Sequence, residues 1–207
     1  MNLPNLLTMS RLVLIAGLMI VLNLGFPYAH TIALTLFVIA GVTDFLDGYL
    51  ARTRNQVTAF GRLMDPLTDK VMVCAAFVSF VEIQVQVEGK GLSPLMPAWI
   101  VVIIIAREFL VTGLRLLAAG KGNIVSAGKW GKHKTTWQIL AIIAILLGLA
   151  VRHDVLGAAA PAELLRNFDT AFYWISFSMG VAVALVTVAS GALYFMQHRD
   201  LIASGRS

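Results

Sequence analysis

Charged side chains are scarce in this chain. Only 13% of its 207 residues are Asp, Glu, Lys or Arg, while 58% are apolar; a typical soluble domain has about 25% charged residues. This composition excludes an ordinary soluble enzyme and predicts an all-α integral membrane protein. The basic residues border apolar segments and form no separate basic region, so nucleic acid is not an expected partner.

Cysteine and clustered histidine are also lacking. The single cysteine, Cys74, excludes an internal disulfide. The four histidines are scattered along the chain without the ligand spacing of a zinc site. A metal site in this chain would therefore depend on oxygen ligands, which favour hard cations.

Long apolar runs are abundant. Six runs have about 17 to 25 residues, enough to cross the hydrocarbon region of a bilayer as a helix. They lie near residues 6–24, 31–52, 63–83, 97–119, 134–151 and 171–196. The sequence therefore predicts six transmembrane helices in a single domain that occupies residues 1–207. External loops are expected near 85–97 and 153–168.

The basic residues are distributed unevenly between the two predicted membrane surfaces. With a cytoplasmic N-terminus, 13 of the 16 Lys and Arg residues fall on the inner side, and only Lys90, Arg152 and Arg166 fall outside. Cytoplasmic segments of membrane proteins are enriched in basic residues. We therefore expect both termini in the cytoplasm, with a cytoplasmic surface suited to anionic lipids or an anionic substrate.

Four of the seven aspartates lie within 26 residues of each other. Asp44 and Asp47 are three residues apart near the end of the second span, and Asp65 and Asp69 are four apart at the start of the third. Each pair therefore shares one helical face. Carboxylates at this depth are costly without a cation. If the two helices form an antiparallel hairpin, the four carboxylates converge on Mg²⁺ or Mn²⁺, and two ions roughly 3.5 to 4 Å apart would suit phosphoryl transfer.

Small and basic residues are interleaved with these aspartates. Gly48, Ala51 and Gly61 would let a phosphate approach the helix backbone, and Arg52 offers a forked cation for a phosphate oxygen. The alternative is that the aspartates only form ion pairs with neighbouring arginines. Four acids at paired helical spacings, with small residues between them, favour the phosphate site.

The depth of the aspartates indicates the kind of phosphate. If the second span begins near Thr31 at the outer surface, Asp44 lies about 20 Å along the helix at 1.5 Å per residue. A lipid in the inner leaflet, with its head group at the water boundary, could reach that depth without leaving the membrane. The sequence therefore indicates chemistry on a lipid phosphate.

The segment from Asp44 to Asp69 follows a known signature. The order is Asp44-Phe-Leu-Asp47-Gly48-Tyr-Leu-Ala51-Arg52, then eight residues, Gly61, three residues, Asp65, three residues and Asp69. It resembles, without departure, the signature of the CDP-alcohol phosphotransferases. Three further segments, 2–11, 107–115 and 131–138, resemble the bacterial branch of that family that transfers to glycerol 3-phosphate.

The resemblance implies a fold and an activity. The fold is the six-helix CDP-alcohol phosphotransferase fold, multi-pass in the bacterial inner (cytoplasmic) membrane, with the active site facing the cytoplasm. The activity is displacement of CMP from CDP-diacylglycerol by sn-glycerol 3-phosphate. The family also implies a homodimer.

The resemblance further implies roles for individual residues. Asp44, Asp47 and Asp65 would ligate metal, and Asp69 would both approach the second metal and act as the general base. The residues expected to contact CDP-diacylglycerol are Asn5, Thr8, Arg11, Gly48, Ala51, Arg52, Thr58 and Gly61. An alternative for Arg11 is a side chain that snorkels to the membrane surface.

An acceptor that carries its own phosphate needs a second anion site. Arg107 and Arg115 are eight residues apart, near two helical turns, and so share a face of the fourth span. Lys132 begins the fifth span, and we expect these three residues to bind the glycerol phosphate. Pairing of Arg107 with Glu108 is an alternative, and Lys134 is expected in a solvated basic loop.

Other functions use similar residues. A different family member would transfer to inositol phosphate or serine, and the residues outside the signature decide between these acceptors. An aspartate-rich prenyltransferase also binds a metal diphosphate, but its two motifs are normally far apart. A cation transporter would bind ions in transit, yet it would not need the spacing of Gly48, Ala51, Arg52 and Gly61.

Overall fold

Within the residues that the computed structural model describes, six α-helices account for most of the chain. The structure describes residues 3–53, 59–120, 129–157 and 159–197, with side chains for 9–46, 67–68, 70–115, 134–157 and 159–197. The helices are α1 Leu3–Asn23, α2 Ala29–Thr53, α3 Ala59–Glu82, α4 Ala98–Gly120, α5 Lys129–Ala150 and α6 Ala162–Gln197. A π-helical segment, Val151–Leu156, continues α5.

A two-stranded hairpin, β1 Gln84–Val87 and β2 Gly91–Pro94, lies between α3 and α4. The sequence predicts an external loop at 85–97, and the structure forms two paired strands over most of that segment. Gln and Val alternate along β1, which is the period of a strand with one buried face, and Val85 and Val87 are buried. Gly89 and Gly91 both have a φ of 76°, a left-handed conformation that glycine adopts without a Cβ penalty. The hairpin packs on α6.

The second predicted loop, 153–168, is largely helical. The π-helical segment occupies its start, and α6 begins at Ala162, earlier than the predicted 171. The first turns of α6 contain charged residues, so the apolar run begins later than the helix. With 36 residues, α6 is about 54 Å long, well beyond the roughly 30 Å of a hydrocarbon core.

Polar contacts join the helices at the end of the bundle that carries the hairpin, here called the hairpin end. The Asp154 carboxylate accepts hydrogen bonds from the Thr31 backbone N–H at 2.6 Å and from its hydroxyl at 2.7 Å. These bonds satisfy a donor in the first turn of α2. Arg152 donates to both carboxylate oxygens of Asp169, with NH2 2.8 Å from Oδ2. Together they connect α2, the π-helical segment and α6.

The core of the bundle is apolar and tightly packed. The α1 helix packs against α2 and α3, the α5 helix against α2 and α6, and the α4 helix against α6. Phe77, Phe80, Ile104, Ile142 and Leu146 are completely inaccessible to solvent. These contacts fix the helix positions that carry the polar side chains described below.

Some charged residues are buried and some large apolar residues are exposed, which is unusual for a soluble protein. Arg11, Glu108 and Lys134 are buried, whereas Phe45 and Leu185 are strongly exposed. Among the described residues, three segments are long and apolar enough to span a bilayer: Ala29–Leu46, Lys134–Leu156 and Ala162–Gln197. An apolar exterior around charged interior groups is the arrangement that lipid favours. The fold is therefore that of a mostly helical membrane protein.

Gly148 of α5 permits the close approach of α6. A Cβ at this position would overlap the ring of Phe172, and a packed ring has little room to move. We expect Gly148→Ala to lower the stability by about 1–3 kcal/mol, the usual cost of overpacking. The thermal unfolding midpoint of the detergent-solubilised protein measures this effect.

Gly41 of α2 provides the matched control. No described atom lies within 4 Å of a Cβ built there, so Gly41→Ala is expected to leave the midpoint unchanged or raise it, because alanine is the better helix former. Equal midpoints for the two variants would contradict the tight contact between α5 and α6.

Candidate active site

Asp44 is the signature aspartate whose side chain the structure describes. It lies near the C-terminal end of α2 and forms an ion pair with NH1 of Arg11 in α1. The Arg11 side chain is 0% exposed, whereas that of Asp44 is 39% exposed. The alternative in which Arg11 snorkels to the membrane surface is therefore wrong: its guanidinium lies inside the bundle, beside the carboxylate.

The other signature residues fall where only the backbone is described, or outside the described residues. Asp47 lies in α2, and Asp65 and Asp69 lie in α3, but their side chains are outside the description. Within the described side chains, no three His, Cys, Asp or Glu residues are grouped closely enough to hold a metal ion. The convergence of four carboxylates stays a prediction. The same holds for the contacts expected of Asn5, Thr8, Gly48, Ala51, Arg52, Thr58, Gly61 and Lys132.

The donor chemistry of the signature fits a hard cation. All four residues are carboxylates, carried in pairs by α2 and α3, and such oxygen ligands suit Mg²⁺ or Mn²⁺. The Asp44 carboxylate is partly exposed, so a cation and a phosphate can approach it. Arg11 adds a buried positive charge that would also attract a phosphate.

A second polar cluster lies between α4, α5 and α6. Its centre is Glu108 of α4, which is 6% exposed. One carboxylate oxygen, Oε1, forms an ion pair with Lys134 and lies 3.4 Å from Nε2 of Gln138, both in α5. Lys134 is itself buried, so the expectation that it lies in a solvated loop is wrong. A buried carboxylate requires such a partner, because an unpaired charge in the interior is very costly.

Arg107 lies between Glu108 and α6. Its NH1 is 3.5 Å from Glu108 Oε1, at the limit of a hydrogen bond, and its NH2 donates to Ser190 Oγ at 3.0 Å. Pairing with Glu108 is thus present but is the weaker of the two contacts. Arg115, two turns further along α4, is exposed and lies within electrostatic range of Tyr194 in α6. Both arginines therefore approach α6.

The two clusters lie toward the same end of the bundle. This end, where α2 ends and α3 begins, is here called the aspartate end. Lys70, the residue after Asp69 in α3, lies within electrostatic range of Glu108 and Lys134. The second cluster is therefore close to the part of α3 that carries two of the signature aspartates. This proximity suits two substrates that must meet.

An apolar cavity of about 210 Å³ lies between α5 and α6. Its lining includes Trp137, Met179 and Val186. Trp137 follows Lys134 by three residues and Val186 precedes Ser190 by four, so the cavity begins about one helical turn from the second cluster. A charged cluster beside an apolar cavity suits a ligand with a charged head and a hydrocarbon chain.

Sequence reasoning missed Lys134, Glu108 and Ser190 as parts of one cluster. Glu108 is an acid inside an apolar run, and Lys134 and Gln138 are four residues apart on one face of α5. These signals mark each residue as unusual. They do not reveal that the residues meet, because the partners lie on three different helices.

The fold and the two clusters define an integral membrane protein with a polar site inside its aspartate end. The sequence model of the CDP-alcohol phosphatidyltransferase family matches residues 1–189 of the chain. The chain therefore belongs to the CDP-alcohol phosphatidyltransferase family, as the Asp44–Asp69 signature predicts.

Individual relatives are similar over most of the chain. It is 40% identical to the CDP-diacylglycerol–glycerol-3-phosphate 3-phosphatidyltransferase of Bacillus subtilis, over 97% of each chain. A protein with the same name from Haemophilus influenzae is 40% identical over 70% of this chain and 75% of its own. Another from Pseudomonas fluorescens is 38% identical, over 70% and 72%.

Proposed function

We propose that this protein transfers the phosphatidyl group of CDP-diacylglycerol to sn-glycerol 3-phosphate, giving phosphatidylglycerophosphate and CMP in phospholipid synthesis. The observation that carries the proposal is the similarity to the Bacillus subtilis enzyme along 97% of both chains. A match of this extent spans the region from Asp44 to Asp69 and the segments that hold Arg107 and Lys134. The pairing of Arg11 with Asp44 and the cluster around Glu108 support it, because each places a cation where an anionic substrate group is expected.

The reaction is a displacement at phosphorus. The acceptor hydroxyl oxygen forms a bond to the β-phosphorus of CDP-diacylglycerol, and the bond from that phosphorus to the bridging oxygen breaks. CMP leaves with the bonding electron pair, and Asp69 takes the proton of the attacking hydroxyl as the general base. Arg11 and Arg52 attract the phosphates of the nucleotide and hold them near Asp44.

Divalent metal is part of the proposal. Asp44, Asp47, Asp65 and Asp69 would hold Mg²⁺ or Mn²⁺, with two ions expected. When bound, the cations neutralise the pyrophosphate and stabilise CMP as a leaving group.

The acceptor phosphate is assigned to the basic residues of α4 and α5. Arg107, Arg115 and Lys132 form the proposed pocket, and the described contacts add Lys134. Lys134 is buried and Arg107 is partly buried beside Glu108, where a charge-assisted bond to phosphate is stronger than in water. The apolar cavity next to Trp137 would accommodate part of a lipid chain.

The membrane placement completes the proposal. We assign six spans to one domain, residues 1–207, in the inner membrane of a bacterium, with both termini and the active site on the cytoplasmic side. The excess of basic residues on that side supports this orientation. A homodimer is proposed from the family alone.

Release of CMP tests the proposed function directly. Purified protein in detergent is expected to release CMP when CDP-diacylglycerol, glycerol 3-phosphate and Mg²⁺ are all present. Omission of any one of these three components should prevent the release. Chelation with EDTA should abolish the release, and added Mg²⁺ or Mn²⁺ should restore it, because carboxylates bind both ions.

A panel of acceptors makes the assay specific. Activity with inositol phosphate or serine, but not with glycerol 3-phosphate, would assign the chain to another acceptor within the family. The absence of CMP release with every acceptor, together with metal-dependent cation flux in vesicles, would favour a transporter instead.

A further inference from the structure

Glu108 gathers three donors on one carboxylate oxygen. Oε1 is the acceptor for Lys134 Nζ, for Gln138 Nε2 at 3.4 Å and for Arg107 NH1 at 3.5 Å. Lys134 and Gln138 come from α5, and Arg107 comes from α4. The carboxylate therefore fixes the position of two cationic side chains relative to each other.

Ser190 and Gly191 hold the other side of Arg107. The Ser190 hydroxyl donates to the Thr187 carbonyl at 2.9 Å, which leaves its oxygen directed to accept from Arg107 NH2 at 3.0 Å. A Cβ at Gly191 would lie only 3.1 Å from Arg107 Cγ. The α6 helix thus packs closely against the Arg107 side chain, and a larger residue at Gly191 would displace that side chain.

The cluster around Glu108 carries more positive than negative charge, whereas a purely structural ion pair would be balanced. Within the side chains that the structure describes, it contains two cations, Arg107 and Lys134, and one anion, Glu108. A surplus positive charge in a buried site is costly unless an anion uses it. A guanidinium has five N–H groups. The described contacts of Arg107 are one from NH1, to Glu108, and one from NH2, to Ser190. The remaining N–H groups can donate to such an anion.

We propose that Glu108 and Ser190 are positioning residues for the acceptor phosphate: they hold Lys134 and Arg107 so that both cations face one phosphate. This inference rests on the proposed function, in which Arg107 belongs to the acceptor pocket. Glu108 and Ser190 touch neither substrate, and Lys134 joins the pocket as a phosphate ligand. Loss of either positioning residue weakens acceptor binding and leaves the CDP-lipid site intact.

Steady-state kinetics with each substrate varied in turn test the proposal. We expect Glu108→Gln to raise the KM for glycerol 3-phosphate about tenfold or more, the scale of a lost charge-assisted contact. The KM for CDP-diacylglycerol should change less than about twofold. A role in folding alone would instead reduce kcat and the unfolding temperature without a selective change in the acceptor KM.

A double-mutant cycle shows whether Glu108 acts through Lys134. Lys134→Gln should also raise the acceptor KM, and the double variant should be no worse than the more severe single variant, because both changes destroy one arrangement. Independent effects that multiply would overturn the proposal. Glu163→Gln, which removes an exposed acid at the start of α6, is the matched control and should leave both KM values unchanged.

Gly191→Ala tests the same positioning of Arg107 if the Glu108→Gln variant does not fold. It adds one methyl group against Arg107, changes no charge, and is expected to raise the acceptor KM about threefold by shifting the arginine. Ser190→Ala should act in the same direction. Unchanged acceptor KM values in the folded variants would refute the positioning role.

The outcome separates this inference from the proposed function. If the unmodified protein releases no CMP with glycerol 3-phosphate, the proposed function fails. If it does, and Arg115→Ala raises the acceptor KM while Glu108→Gln and Gly191→Ala do not, only the positioning role fails.

Discussion

Replacement of Asp69 by asparagine is expected to abolish turnover while CDP-diacylglycerol still binds. Asparagine has the size of aspartate and keeps one oxygen, but it cannot take a proton from the acceptor hydroxyl. Loss of a general base typically costs about 10²- to 10⁴-fold in rate. Asp44, Asp47 and Asp65 remain to hold the cation, so the binding of the CDP-lipid should be largely preserved.

Two measurements separate binding from chemistry in the Asp69→Asn variant. CMP release in a single turnover reports the chemical step, and the rise in unfolding temperature with added CDP-diacylglycerol reports binding to the folded protein. We expect the first to be lost and the second to be retained. Loss of both to the same degree would show that Asp69 acts as a metal ligand and not as a dedicated base.

Asp154→Asn is the matched control for this variant. It makes the same chemical change at the hairpin end, where Asp154 accepts two hydrogen bonds from Thr31 at the start of α2. We expect it to lower the unfolding temperature slightly, because a hydrogen bond to a charged carboxylate is stronger than one to a neutral amide oxygen, and to leave both KM values unchanged. The comparison separates the loss of a carboxylate charge at a structural contact from the loss of a general base.

The helices of this protein are predictable from its sequence because each apolar run carries its own signal. Lipid selects apolar runs of a set length, and for α1 to α5 the largest difference between predicted and observed ends is five residues, 134 against 129 at the start of α5. The signal fails where a helix leaves the apolar region. The early start of α6 and the hairpin at Gln84–Pro94 depend on contacts outside the apolar runs. The length of an apolar run contains no information about those contacts.

The site is predictable only in part, for a related reason. Asp44 and Asp47 are linked by helical periodicity, which a sequence displays directly. The contact of Arg11 with Asp44 joins α1 to α2, and that of Lys134 with Glu108 joins α5 to α4. Which faces of separate helices meet depends on packing across the whole bundle, so these pairs emerge only from the fold.

Arg11→Met is expected to lower kcat/KM for CDP-diacylglycerol about tenfold or more, because a hydrogen bond to a charged group contributes about 1.5–3 kcal/mol. Methionine fills much of the same space without a charge. Arg11 is completely buried and contacts Asp44, so its loss removes a cation from the proposed nucleotide site. It also leaves the carboxylate without this counter-ion. The KM for glycerol 3-phosphate should change little, because the acceptor is assigned to the cluster around Glu108.

Two further variants decide whether Arg11 binds substrate or only supports the fold. Arg11→Lys keeps the charge but loses the planar fork, and it should recover part of the activity if a phosphate is bound through charge. Arg166→Met removes an exposed arginine near the hairpin end and should be neutral. A lower unfolding temperature for Arg11→Met with an unchanged kcat/KM for the CDP-lipid would make Arg11 a structural partner of Asp44. A selective loss of CDP-lipid affinity at an unchanged unfolding temperature would instead place the nucleotide phosphates between α1 and α2.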